Sequence, residues 1–324
     1  MRVEAKTVAD AVPRLRRVSL AGQAPLLTLL GLGVMTSMLT DRFLSPINLT
    51  NLLVQSSIMA VIAMGMTFVV VSGGFDLSVG SIAALSGCVA AIVMLKTGIA
   101  LGVLAGIAAG TLIGLVNGLS ITALGVNPFI TTLGTMVLVR GLVYLLTGGH
   151  AISGTFGLPD AFVTFGAERV LGVHALVWVP AVLLVVLSWV LHLTPYGRKV
   201  FATGGNREAA YLSGIRVSAV VASAYVWCGT LAGVGGVMLA ARLQSGQPTA
   251  GEFYELTAIA AVVLGGASLQ GGEGQLYKSV IGVFIMVVLG NALNLLNVDS
   301  YWQRVAIGFV IIAAAAVDRL RARS

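Results

Sequence analysis

Apolar residues in this chain fall in long blocks, not in alternation. Ten blocks stand out, at about residues 24–40, 52–71, 77–95, 98–121, 128–147, 173–193, 217–241, 256–270, 279–297 and 301–317. A helix needs roughly 20 apolar residues to cross the hydrocarbon of a bilayer, and runs such as "SIAALSGCVAAIVML" and "SVIGVFIMVVLGNAL" suit that element. A membrane β-barrel would show shorter segments with a period of two. Polar or Gly/Pro-rich links separate the blocks, the longest being 148–172 and 194–216. The pattern predicts an all-α polytopic membrane protein with about ten transmembrane helices, forming one transmembrane domain over residues 24–318.

Composition agrees: 57% of the 324 residues are hydrophobic and 10% charged, against about 25% charged in soluble domains. The 41 glycines suit helices that approach closely in lipid. Cys88 and Cys228 both lie within apolar blocks and read as small buried hydrophobes, not a disulfide. The N-terminus is basic and precedes an apolar block, as in a signal peptide, but it is long and no small-x-small cleavage site follows. It is read as a cytoplasmic segment, residues 1–23, before an uncleaved first span.

The net charge of +7 changes meaning once it is mapped. With the N-terminus in the cytoplasm and ten spans alternating, thirteen of the nineteen Lys and Arg fall on the cytoplasmic side, five outside, and Arg140 within span 5. That asymmetry is the positive-inside signature. It puts both termini in the cytoplasm, including a basic tail at 319–324. The basic excess is thus a topology signal, with the anionic lipid of the bilayer as a secondary partner and no nucleic acid.

Two regions resemble each other. "IAMGMTFVVVSGGFDLSVGSIAAL" and "IAAVVLGGASLQGGEGQLYKSVIGVF" each pass from an apolar helix through a Gly-Gly break into another helix. In the assigned topology both breaks follow an inward span, so the repeat is parallel. Interrupted hydrophobic segments at corresponding positions point to a transport pathway.

A polar island, "TPYGRKVFATGGNREAAYLSGIRV", sits between spans 6 and 7 on the cytoplasmic side. Its middle predicts a short helix. Asn206 is a good N-cap, Glu208 falls in the first turn where the helix dipole favours an acid, and Gly214 is placed to stop the helix. Gly204 and Gly205 allow a sharp turn into it. Two readings stand: a solvated loop obeying the positive-inside rule, or a docking helix for a cytoplasmic partner. In the second, small Ala209 and Ala210 admit close approach and Arg207 and Glu208 supply charged contacts at the rim.

Here the residues carry a family likeness. "GRKVFATGGNREAAYLSGI" resembles the cytoplasmic coupling loop of ATP-binding-cassette importer permeases of the ribose/xylose/arabinose type. "NLLVQSSIMAVIAMGMTFVVVSGGFDLSVGSIAALSG", "GVNPFITTLGTMVLVRGL", "YELTAIAAVVLGGASLQGGEG" and "LNLLNVDSYWQ" resemble further segments of that family, in order, from about Phe43 to Asp318. Glu273 departs from it, since a basic residue is expected there in many members. The resemblance implies a bacterial inner-membrane machine of several parts. A periplasmic binding protein delivers a monosaccharide, two permease subunits form the pathway, and cytoplasmic ATPase subunits holding ATP and magnesium drive it. It further implies a second permease subunit, with a homodimer expected and the identity of that subunit left open by the sequence, and coupling to the ATPase through Gly205, Asn206, Arg207, Glu208, Ala209, Ala210, Ser213 and Gly214. No G-x-x-x-x-G-K-[ST] loop occurs, so this chain is read as a non-catalytic subunit that binds no cofactor itself. No Cys/His metal cluster is visible, and His150, His174 and His192 read as interfacial.

A sugar pathway needs hydrogen-bonding groups and apolar or aromatic faces. Asp76, in "SGGFDLSVG", is the first candidate. A carboxylate at span depth costs at least about 2.5 kcal/mol unless paired or hydrated, and Asp76 could also cap the next helix. Gly74, Phe75, Asn117, Asn127, Phe129 and Gln244 complete the candidate set, with Gln55, Asn291 and Trp302 as secondary ones. Interhelical hydrogen bonding or packing is the competing role for each. Arg140 has no acid three or four residues away, so it must meet a cavity, a carbonyl or an acid on another helix. The outer link Gly148–Gly172 is long enough to meet a binding protein or to be a passive loop. Other classes remain open: the same machine for a nucleoside, autoinducer or branched-chain amino acid, an ion-coupled transporter, or a membrane scaffold.

Overall fold

The computed structural model describes residues 23–154 and 157–321. Most of the expected segment 1–23 and residues 322–324 of the expected tail lie outside that range. The helices are α1 (Ala24–Leu39), α2 (Pro46–Val71), α3 (Val79–Thr97), α4 (Ile99–Thr122), α5 (Pro128–Thr147), α6 (Asp160–Ala167), α7 (Ala175–Ser188), α8 (Pro195–Gly205), α9 (Arg207–Leu212), α10 (Val217–Leu243), α11 (Tyr254–Leu264), α12 (Leu276–Leu295) and α13 (Ser300–Arg321). A π-turn, Trp189–Leu193, extends α7. A small antiparallel hairpin of β1 (Arg169–Val170) and β2 (Val173–His174) follows α6.

Among the described residues seven helices are long and apolar enough to cross a membrane: α2, α3, α4, α5, α7 with its π-turn, α10 and α12. Three shorter apolar helices, Ala24–Leu39, Tyr254–Leu264 and Tyr301–Ala316, coincide with the other expected blocks. The block expected at 256–270 stops early, at Leu264, because Gly265 ends α11 and Gly266 turns at φ +87°. The backbone of α13 runs on to Arg321, into the stretch read as a tail.

The core lies around α2, apolar on every side and therefore enclosed on every side; 94% of its most apolar stretch is buried. Packing against α3 and α10 rests on small residues. On α4, Gly102, Gly106, Gly110, Gly114 and Gly118 recur at every fourth position and form most of its buried face, with Asn117 and Ile121 the other two buried residues. A Cβ on Gly106 would stand 2.6 Å from the Ser86 carbonyl oxygen, on Gly110 2.5 Å from that of Gly229, and on Gly118 2.8 Å from that of Ala222. Backbone therefore lies on backbone where α4 crosses α3 and α10, the small-xxx-small packing of membrane helices.

Non-helical backbone enters this core between α10 and α11. Gly246 exchanges two hydrogen bonds with Ile152, at 2.8 and 2.9 Å, and rests on Cys88 of α3. Gly251 rests on Gly80, eight residues earlier on α3. Eight helical residues span about 12 Å, so residues 246–251 descend that far along α3 and α11 starts deep in the structure. Such backbone is tolerated at depth where protein groups satisfy its polar atoms.

Candidate functional site

The polar island folds as two helices at one end of the molecule. Thr194 caps α8, its Oγ1 accepting from Gly197 N at 3.4 Å, and Pro195 takes the first helical position. Gly204 and Gly205 are the last turn of α8, and the sharp turn falls on Asn206, whose backbone is extended. Glycine is needed at 204 for packing: a Cβ there would meet the Val71 carbonyl oxygen at the end of α2 and Gly272 N. The second helix, α9, matches its sequence signals. Asn206 Oδ1 accepts from Ala209 N at 3.0 Å. At the other end Gly214 has φ +80°, with Ile215 N donating to Ala210 O at 3.1 Å and Gly214 N to Tyr211 O at 2.9 Å. These are the two bonds of a Schellman stop.

Of the eight expected docking residues, Gly205 to Ala209, Ser213 and Gly214 are exposed, whereas Ala210 is buried at 4% exposure, against the chain itself. Tyr211 and Leu212, unflagged in sequence, are 72% and 78% exposed. Two large apolar groups in a polar stretch were the signal that could have found them.

Behind α9 three glycine-bearing segments meet. Gly272 N donates to Val71 O at 2.9 Å, Gly271 packs on Gly73 and Gly204, and Arg207 Nη2 donates to Gly73 O at 3.3 Å. The two Gly-Gly breaks recognised as a repeat thus touch each other and the island.

From Gly73 the chain enters the α2–α3 break. Gly74 fits only without a side chain, since a Cβ would stand 2.6 Å from Tyr225 Oη, and that hydroxyl donates to Phe75 O at 2.9 Å. Asp76 caps from further out than expected. Its Oδ1 accepts from Ser78 N at 2.9 Å and from Ser78 Oγ, and α3 begins at Val79. Asn117 Nδ2 on α4 donates to Ser78 Oγ at 2.9 Å. Gly74, Phe75, Asp76 and Asn117 are thereby brought together around Ser78 and Tyr225. Asp76 and Asn117 are fully buried, and among the described residues no donor stands in hydrogen-bond geometry to Asp76 Oδ2 or Asn117 Oδ1. The other candidates lie apart. Asn127 caps α5 through Phe129 N at 2.9 Å, Phe129 is 55% exposed, and Gln244 ends α10 in a left-handed conformation on the exposed surface. Asn291 pairs with Asn48 in two hydrogen bonds.

Arg140 meets carbonyls. Its Nη1 donates to Pro248 O at 2.6 Å and Ala250 O at 2.9 Å, satisfying the descending segment. Beside it opens a recess of about 380 Å³ lined by Met136, Val137, Arg140, Gly141 and Tyr144 of α5 and by Glu252, Phe253 and Glu255. Sequence reasoning passed over these last residues, although "SGQPTAGEFYE" shows a turn-rich interruption carrying two acids. At the opposite end from the island, burial, aided by Arg169 and Arg242, holds the His174 imidazole below its ordinary pKa. Among the described residues no group of His, Cys, Asp and Glu could hold a metal ion.

Residues 48–315 match the family model described as branched-chain amino acid transport system / permease component. The chain is 48% identical over 300 residues to the ribose import permease protein of Bacillus subtilis (strain 168), covering 91% of this chain and 92% of that one. It is 40% identical over 285 residues to the L-arabinose transport system permease protein of Escherichia coli (strain K12), covering 87% and 86%. It is 36% identical over 286 residues to the D-allose transport system permease protein of the same strain, covering 88% and 87%. No solved structure matches the chain.

Proposed function

The chain belongs to the family of branched-chain amino acid transport system permease components, and on that premise we propose that it is the membrane-spanning permease subunit of an ATP-driven importer of a monosaccharide. The names of these relatives favour a sugar over an amino acid. The protein is a multi-pass membrane protein. In the full reading, ten segments cross the membrane, both termini face the cytoplasm, a binding protein delivers the sugar outside, and a second copy of the chain completes the pathway. ATP with magnesium is hydrolysed by partner subunits.

One observation carries the coupling part of this reading. The helix α9 is exposed, capped at both ends, and rests on the junction of both helix breaks, where Arg207 holds the backbone of Gly73. A motor that displaced α9 would pull on the segment leading directly to Asp76 and Tyr225. An interior that packs at close distance transmits such a displacement instead of absorbing it.

The test is reconstitution in proteoliposomes with the ATPase and a sugar-loaded binding protein. ATP-dependent uptake is expected. Reversing Glu208 or enlarging Ala209 should uncouple hydrolysis from uptake while the chain still inserts. Sugar movement by this chain alone along an ion gradient, without ATP, would overturn the proposal.

A further inference from the structure

The recess beside α5 is unusual in what lines it. Its wall holds a cation, two carboxylates and two aromatic rings within otherwise apolar surroundings. Its second wall, Glu252 and Phe253, directly follows the descending segment, which brings Gly251 against the first turn of α3. Glu255 sits half-buried there, its carboxylate against Gly80, where the absent side chain makes room. Phe253 stands at φ +63°, a left-handed backbone that a bulky residue rarely adopts. It is 44% exposed, and the Arg304 guanidinium lies 5.0 Å from its ring centroid. Strained residues of this kind persist where the surrounding structure holds them, and they cluster at ligand sites.

Hydrocarbon is a poor occupant of such a space. Acids facing lipid at depth are strongly disfavoured, and ionisable side chains within membrane proteins face cavities instead. The chemistry suits a neutral polyhydroxylated ring. Carboxylates accept from sugar hydroxyls, the Tyr144 hydroxyl both donates and accepts, and the rings of Tyr144 and Phe253 cover C–H faces. Arg140 is held in place by the two carbonyls it binds, so the wall is already formed.

We propose that this recess is a contact site for the monosaccharide in transit, with Glu252, Glu255 and Tyr144 binding hydroxyls and Phe253 setting the fit to ring size. The proposal rests on the importer reading and deepens it, placing sugar recognition within the permease as well as before it. The buried pair Asp76 and Asn117 does not line this space; it lies on the side of Gly80 that leads to the island.

The experiment uses the complete reconstituted importer with radiolabelled ribose and allose. Replacing both acids, Glu252→Gln with Glu255→Gln, should slow uptake about tenfold, the loss expected for one or more charge-assisted hydrogen bonds. Intact purification of the complex serves as the folding control. Phe253→Leu should shift the ribose-to-allose rate ratio by about threefold or more, which a general folding defect would not do. Gly141→Cys should react with a polar, membrane-impermeant thiol reagent, since a Cβ at that position meets open space and the native Cys88 and Cys228 are buried. Sugar should slow that reaction. Unchanged uptake and ratio, or an introduced thiol reached only by apolar reagents, would overturn the site while leaving the importer reading intact, provided the parent complex transports. A parent complex that moves no sugar would overturn both.

Discussion

The successive helices α4 and α5 look alike from outside and are held by opposite means. Each has 22% of its most apolar stretch buried. On α4 five of the seven buried positions are glycines at every fourth residue, and there the backbone itself is the contact surface. On α5 the buried positions are Thr132, Val139, Val143 and Thr147, so ordinary side chains hold it to α3, while Gly134 and Gly141 face open space. The same residue type therefore means immobility on one helix and vacancy on the next. A helix seated through its backbone cannot roll without clashing. A helix seated through side chains, with a recess beside it, is free to shift by small repacking. The recess proposed as a sugar contact borders the second kind.

The sharpest way to break this contrast is to fill the glycine seam. Gly110→Leu drives a side chain into backbone 2.5 Å away, and overpacking of that severity should cost more than ~3 kcal/mol. Thermal melting in detergent would show it as loss of the cooperative transition. Next comes Arg140→Ala, which strands the carbonyls of Pro248 and Ala250; about 2–3 kcal/mol is expected for buried acceptors left unmet. Hydrogen exchange should rise selectively over residues 246–253, and Arg140→Lys should restore part of the protection. Smaller still is Val143→Ala, which removes two buried methyl groups from the α3–α5 contact and should cost about 1–2 kcal/mol. At the low end is Gly134→Leu, whose Cβ meets no atom within 4 Å; it should change stability by no more than about 1 kcal/mol, the helix-propensity gain over glycine. A melting loss for Gly134→Leu as large as that for Gly110→Leu would erase the distinction between the two helices.

Much of the island end was legible along the chain. Asn206, Glu208 and Gly214 act within one or two turns of themselves, so their cap, dipole and stop roles follow from spacing alone. Ala210 shows the limit. Spacing placed it on the same short helix as Ala209, but only packing decides that one alanine faces outward and the next inward. Gly204 was read as a flexible turn for the same reason. Its real constraint is Val71, 133 positions away, which no local pattern announces. The α4 seam could have been read from the four-residue repeat at 102, 106, 110, 114 and 118, although the repeat says nothing of which helix lies across it.

By itself the sequence determined the helical class, the apolar blocks, both Gly-Gly breaks and the capped island helix, because each depends on residues within a few turns of one another. It also required a partner for Arg140, since an unmatched guanidinium among apolar residues is unstable wherever the chain goes. Tertiary structure alone decided that the partners are the Pro248 and Ala250 carbonyls, that α11 starts at depth, and that two acids and two aromatic rings share one recess. Those arrangements join segments about a hundred residues apart, and their distances are set by how α3, α5 and the descending segment pack together, a sum over the whole core that no single stretch encodes.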